Sequence, residues 1–269
     1  METLEDDYTY VIRKAFKGLA LAPGEAALRA GLPEKEVLSF SKGKFSEEIA
    51  RQLAVTLDLN PEALARHPHY LPAPLQLSNI LRLDLPFGDE RVNAWLVQTP
   101  ASTLLFDSGY QATSCLDALI ASGAEPPDHL FITHAHPDHT GGIPSLLGKG
   151  IAAHGANIPD TREIRPGDFL HCGSLTIRAC DLSGHANPAL GFHIEGLAAP
   201  VLVTGDALFA GSIGGCGTPQ LYQHALNRLR EVLTPLPDHT ILLPGHGPAT
   251  TLGEERRSNP VLWTAVKGD

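Results

Sequence analysis

Three histidines and an aspartate fall within six positions of the stretch Phe131-Ile132-Thr133-His134-Ala135-His136-Pro137-Asp138-His139-Thr140-Gly141-Gly142. In extended backbone His134 and His136 point to one side, because side chains repeat every second residue. A turn at Pro137 then brings Asp138 and His139 to the same end of the strand. Imidazole nitrogen and carboxylate oxygen are ligands for zinc and for non-haem iron or manganese. A single histidine here would read as a solvated polar turn. Four ligand-type side chains at this spacing point to a metal instead.

The same local grammar recurs further along the chain. His185 ends Leu182-Ser183-Gly184-His185, Asp206 ends Val203-Thr204-Gly205-Asp206, and His246 lies in Leu243-Pro244-Gly245-His246-Gly247. Each follows an apolar run and stands beside a glycine, which allows close backbone approach. Asp107, in Phe106-Asp107-Ser108-Gly109, is expected to hold a ligand histidine in its tautomer rather than to ligate.

Positioning these groups requires a sheet-rich scaffold. Ile80 to Leu85, Val92 to Gln98, Thr103 to Phe106, His129 to Thr133, Ile151 to Ala153, Leu175 to Ala179, Leu190 to Ile194, Val201 to Thr204 and Thr240 to Leu243 read as strands. Thr113 to Ala121, Ile143 to Leu147 and Leu221 to Leu233 read as helices. Strands in meanders, then alternating with helices, predict an α+β chain with an αββα two-sheet sandwich.

Residues 1–66 read differently. Apolar positions recur at helical steps from Tyr8 to about Arg66, with Ser46 as an N-cap, which predicts a small all-α bundle. Residues 67–75, with Pro68, Pro72 and Pro74, predict a stiff linker in which His67 and His69 are solvated. The catalytic unit is then expected over 76–269. The bundle resembles the helix-turn-helix domain of phage-repressor-type regulators through Ala26-Ala27-Leu28-Arg29-Ala30-Gly31-Leu32, Ser41-Lys42-Gly43-Lys44 and Ile49-Ala50-Arg51-Gln52-Leu53-Ala54. Glu34 and Glu36 open its candidate recognition helix, and residues 1–70 carry 11 acidic against 9 basic side chains. That balance disfavours a nucleic-acid surface and favours docking or dimerisation, so a homodimer is one expectation.

The 269 residues carry a net charge of −10 and 43% hydrophobic residues, as an ordinary globular protein does. Cys115, Cys172, Cys180 and Cys216 lack close spacing and read as reduced, mostly buried thiols. The amino terminus lacks a signal-peptide pattern and no run is long enough to span a membrane, so the expected compartment is the cytoplasm. His154, His171, His193, His224 and His239 have no motif context and read as structural or exposed.

Taken together, His134, His136, Asp138, His139, His185, Asp206 and His246 resemble the metallo-β-lactamase superfamily over about residues 76–260. Leu208-Phe209-Ala210-Gly211-Ser212-Ile213-Gly214, Pro244-Gly245-His246-Gly247-Pro248 and Glu254-Glu255-Arg256-Arg257-Ser258-Asn259-Pro260 are similar to its glyoxalase II and persulfide dioxygenase branch. The resemblance implies two divalent metal ions, zinc first and iron or manganese as alternatives. His134, His136 and His185 would hold one, and Asp138, His139 and His246 the other, with Asp206 bridging. Asp138 would also orient the nucleophile as the catalytic residue. The implied reaction is hydrolysis of a small-molecule thioester or related ester by metal-activated hydroxide.

Departures from the branch bear on the substrate. The stretch after Pro260 is too short for the helical domain with which glyoxalase II holds glutathione. Gly215-Cys216-Gly217-Thr218 lacks the Arg-Thr-Asp of the persulfide dioxygenases, and Ser183-Gly184-His185-Ala186-Asn187-Pro188 departs from the more usual Pro-Gly-His-Thr-Pro-Gly. Two further readings remain: a mono-iron sulfur dioxygenase using His134, His185 and Asp206, and a regulator in which a metal-domain sensor is fused to a DNA-binding bundle.

Overall fold

Leu83 and Leu85 turn into the core from strand β1 (Ile80–Phe87), while Asp84 between them faces solvent. This inside-outside alternation follows from the two-residue period of a strand. In the computed structural model, which describes residues 3–262, β1 begins a mixed sheet of order β1-β2-β3-β4-β5-β6. Its other strands are β2 (Glu90–Thr99), β3 (Ser102–Phe106), β4 (His129–Phe131), β5 (Ala152–Gly155) and β6 (Arg162–Glu163). The hairpins β1–β2–β3 are antiparallel, and β3 through β6 run parallel.

A second sheet has the order β12-β11-β10-β9-β8-β7. It comprises β7 (Phe169–Cys172), β8 (Leu175–Asp181), β9 (Leu190–Glu195), β10 (Val201–Gly205), β11 (Ile241–Pro244) and β12 (Thr250–Thr251). All its neighbours are antiparallel except β10 and β11. Strands β8, β10 and β11 therefore share one direction, and their carboxyl ends lie at one edge of the sandwich.

The sheets face each other across Trp95, Phe106, Phe131, Ile177, Phe192, Val203 and Leu243. Helices α1 (Tyr8–Gly18), α2 (Pro23–Ala30), α3 (Glu34–Phe40), α4 (Glu47–Thr56) and α5 (Pro61–Arg66) precede the sheets in the chain. Helix α6 (Ser114–Ser122), the single turn α7 (Pro137–Thr140) and α8 (Ile143–Leu147) follow within the first half of the sandwich. Helices α9 (Pro219–Leu233) and α10 (Leu252–Ser258) complete it. Residues of α6 and α8 cover the outer face of the first sheet in a cluster with Leu85, Leu96 and Leu130. Tyr222, Leu226 and Leu229 of α9 share another cluster with Val11, Ile12, Phe40 and Leu53 of the amino-terminal helices. The layers are therefore α, β, β and α, as the strand and helix pattern predicts.

The expected catalytic range ends at 269, of which 263–269 lie outside the described residues. Strand β4 is shorter than predicted, ending at Phe131, because the N–H of Thr133 leaves the ladder for the Asp107 carboxylate at 2.8 Å. Short strands β6 and β12 and helix α10 carry too few apolar residues for periodicity to find, and β7 spans only four residues. His67 overturns its predicted exposure. It is 1% exposed in a 3₁₀ turn (His67–His69), with Nε2 3.0 Å from Gly211 O, whereas His69 is exposed. Cys115, Cys172 and Cys216 are buried free thiols and Cys180 is half-buried and free. Among the described residues no helix is long and apolar enough to cross a membrane.

Candidate metal centre

The seven predicted ligand-type residues converge at the strand edge described above. His134 and His136 follow β4, Asp138 and His139 sit on α7, His185 follows β8, Asp206 follows β10, and His246 follows β11. Donor atoms of His134, His136, His185 and Asp206 lie within 4.8 Å of one another, as do those of Asp138, His139, Asp206 and His246. Asp206 belongs to both groups. Its Oδ2 is 3.4 Å from His185 Nε2 and 3.6 Å from His246 Nε2, and its Oδ1 is 3.3 Å from His139 Nε2.

Hydrogen bonds on the far side of each ring select the tautomer. Gly215 O and Arg91 O can only accept, so His185 and His246 donate from Nδ1, at 2.9 and 2.7 Å. His139 donates from Nδ1 to Asp107 Oδ2 at 2.8 Å. Thr133 gives its hydroxyl hydrogen to Asp107 and so accepts from His134 Nδ1 at 3.0 Å. In each neutral ring Nε2 is left as a lone pair aimed at the centre. His134 Nε2 and His185 Nε2 both face His136 Nδ1, at 3.0 and 3.1 Å.

Converging lone pairs repel unless something positive lies between them. Two ligands of a tetrahedral zinc, each roughly 2.05 Å from the ion, would stand roughly 3.3 Å apart, close to the separations seen here. Moreover, His139 Nε2 and Asp206 Oδ1 are buried without a hydrogen-bond partner. Orphaned polar atoms at this depth cost stability, and a cation would satisfy both. The donor set of imidazoles and carboxylates fits divalent metals.

Electrostatics support the same inference. Burial alone would raise the Asp206 carboxyl, but the surrounding imidazoles, His139 first, hold it far below the usual carboxylate range. His134 is driven well below an ordinary histidine by burial and by its neighbouring rings. Burial would also lower His139 and His246, yet the carboxylates facing them draw both upward, His246 to about 9. The centre is a set of bases in an anionic field, as a cation requires.

Close backbone approach completes it. A Cβ on Gly245 would lie 2.2 Å from Asp206 Oδ1 and 2.7 Å from His139 Cε1, so only glycine fits there. Sheet-to-sheet hydrogen bonds hold the edge together: Asn93 N–H to Gly245 O at 2.7 Å, Leu190 N–H to Thr133 O at 2.7 Å, and Trp95 Nε1 to Pro244 O at 2.8 Å.

Residues 87–177 match the Metallo-beta-lactamase superfamily. The chain is 32% identical to hydroxyacylglutathione hydrolase GloC of Haemophilus influenzae over 162 residues, 49% of this chain and 74% of that protein. The chain belongs to the metallo-beta-lactamase superfamily. Among solved structures it resembles the BLEG-1 B3 metallo-beta-lactamase, with 26% identity and TM-score 0.57 over 68% of this chain and 99% of that one. It also resembles TTHA1623 in a di-iron-bound form, with 27% identity and TM-score 0.51 over 66% of this chain and 98% of that one. Metallo-beta-lactamase relatives bind divalent metals, and this chain has two His/Asp groups able to hold them.

Asp107 stands behind a histidine of the motif, His139, and accepts its Nδ1–H. Thr133, Arg91 O and Gly215 O complete the shell and were not legible. Threonine before His134 carries no signal of its own, and backbone carbonyls are common to every residue.

Proposed function

We propose that the protein is a two-metal hydrolase acting on a thioester or related ester. The observation that supports this reading most is the sharing of Asp206 between two complete groups of donors, each with three further ligand-type residues. His134, His136 and His185 would hold one ion and Asp138, His139 and His246 the other, with Asp206 available to both. Divalent ions bound there would bring a water's pKa towards neutrality and stabilise the oxyanion that develops on an attacked carbonyl.

The chain's own groups do the rest. Asp138 is buried on α7 with Oδ2 3.3 Å from His246 Nε2. It orients the attacking water and takes up its proton. His246, His185 and His139 keep their donor nitrogens inward through Arg91 O, Gly215 O and Asp107. The rings of Phe87 and Phe209 lie 6.4 and 5.9 Å from that of His246, and half-exposed Tyr110 stands 5.2 Å from Phe87. They offer an apolar wall for an acyl group. The hydroxyacylglutathione hydrolase likeness favours a thioester among carbonyl substrates.

Metal content of protein purified without chelators, followed by assays on S-lactoylglutathione and on glutathione persulfide, tests the reading. Two equivalents of zinc, iron or manganese with thioester hydrolysis are expected. One iron with oxygen consumption on the persulfide would overturn it.

A further inference from the structure

We propose that the segment preceding the sandwich, residues 6–70, is a positioning device for the metal centre, acting on His185 through the loop of residues 207–217. The proposal rests on the metal-site reading above and adds residues to it that lie outside the centre.

The loop runs from Asp206 to the start of α9 and lies directly against the centre. A Cβ on Gly214 would fall 1.9 Å from Asp206 O and 3.0 Å from His185 Cβ. One residue later, Gly215 O accepts the His185 Nδ1–H at 2.9 Å, the bond that aims Nε2 at His136 and Asp206. The loop's conformation therefore sets the orientation of His185.

Regular pairing does not hold this loop. Its ladder is a single bridge between Phe209 and Ser212. Side chains from distant parts of the chain grip its backbone instead. Buried His67 can only donate to Gly211 O, at 3.0 Å. Gly211 N–H donates to Glu255 at 2.8 Å, and Tyr70 Oη donates to the same carboxylate at 2.5 Å. Two residues on, Lys14 of α1 donates to Ile213 O at 2.9 Å and also to Asp6. Asp6, 5% exposed, accepts from Ser212 Oγ as well. Asn259 donates to Ser212 O at 3.0 Å. Asp6, Lys14 and His67 thus bond directly to three consecutive loop residues, 211 to 213, and Tyr70 reaches Gly211 through Glu255; these four residues all precede the sandwich in the chain.

A loop held in this way transmits the position of its anchors. Outer partners of metal-ligating histidines typically change metal affinity about 10- to 100-fold when removed. Here the anchors act through the backbone between residues 211 and 215, and their effect should fall chiefly on the group containing His185. His139 and His246 are oriented by Asp107 and Arg91 O, to which none of these four anchors is hydrogen-bonded; the approaches to His246 from this side are Glu5 Oε2, 4.0 Å from its Nδ1, and the Phe209 ring at 5.9 Å.

Zinc titration of apo-protein against a chelating indicator tests this, with the apo-protein melting temperature and circular dichroism recorded alongside. The parent should take up two equivalents. His67→Leu and Lys14→Met should each weaken one equivalent about tenfold or more and leave the other near parental affinity. His67→Gln, which restores a donor, should recover both. Retention of both affinities in His67→Leu and Lys14→Met would overturn the proposal, and so would equal weakening of both sites. If His67→Leu does not fold, the Lys14→Met and His67→Gln titrations decide alone. A parent that binds no zinc would instead refute the metal-site reading.

Discussion

Asp107 and His139 are joined by a 2.8 Å hydrogen bond in which one carboxylate oxygen accepts the Nδ1–H of the ring. The other oxygen accepts the N–H of Thr133, also at 2.8 Å, so one side chain joins the end of β3 to both ends of the histidine-rich segment.

Asp107→Asn leaves a single oxygen to serve three donors, the Thr133 N–H and hydroxyl and the His139 Nδ1–H, and sets an amide N–H against at least one of them. His139 or Thr133 must lose its partner. The expected result is a 10- to 100-fold loss of affinity for at least one metal ion, measured by chelator competition. Unchanged affinity would remove Asp107 from its orienting role.

Asp138→Asn keeps the shape of the side chain and removes its ability to take up a proton. A general base of this kind contributes about 10²–10⁴-fold, so kcat on a thioester substrate should fall within that range. Steady-state kinetics with metal content measured on the same sample check it. Wild-type turnover would exclude Asp138 from proton transfer.

Gly245→Ala places a methyl group 2.2 Å from Asp206 Oδ1. Either the loop after β11 or the carboxylate must move. Overpacking of this kind costs about 1–3 kcal/mol, and here it also displaces the residue shared by both donor groups. Calorimetry should record a lower melting temperature, and metal analysis fewer than two equivalents. Full metal loading would show that the loop absorbs the methyl.

His154 supplies a pH dependence remote from the centre. Its ring stacks on Phe131, with centroids 5.0 Å apart, and its Nε2 lies 3.1 Å from His129 Nδ1. Burial first, then the charges of His129 and Arg162, push it down to about 4. The unfolded chain protonates this imidazole near pH 6.5 and the folded chain near 4, so the unfolded state binds the proton first. Stability present above about pH 6.5 is therefore lost as the pH falls towards 4. His154→Phe keeps the stacking and removes the titration. Its melting temperature should fall less between pH 7 and pH 5 than that of the parent, and an equal fall would exclude this source.

The sandwich was legible because its strands are apolar runs with clear punctuation, such as Val201 to Thr204 before Gly205. The ligand-type residues were legible because chemistry restricts their types. Histidine and aspartate repeatedly ending apolar strands is a pattern that packing alone does not produce. His67 was misread for the opposite reason. Its neighbours Pro68 and Tyr70 suggest an exposed linker, but its burial depends on Gly211, 144 residues away. Long-range partners such as Glu255 with Tyr70 are likewise invisible to local patterns. Nor can a sequence display a backbone carbonyl as an orienting group, which hides the part of Arg91 and Gly215.

The shared cluster on α9 has a consequence for biosynthesis. Val261 and Leu262 are buried in the same cluster as Val11, Ile12 and Leu53, and Asn60 N–H donates to Pro260 O at 2.8 Å. The amino-terminal helices, made before the sandwich, thus wait for residues such as Pro260, Val261 and Leu262 to seal their apolar surface. Such non-local closure slows folding and prolongs exposure of sticky faces, making nascent chains that stop short of Pro260 natural clients for chaperones.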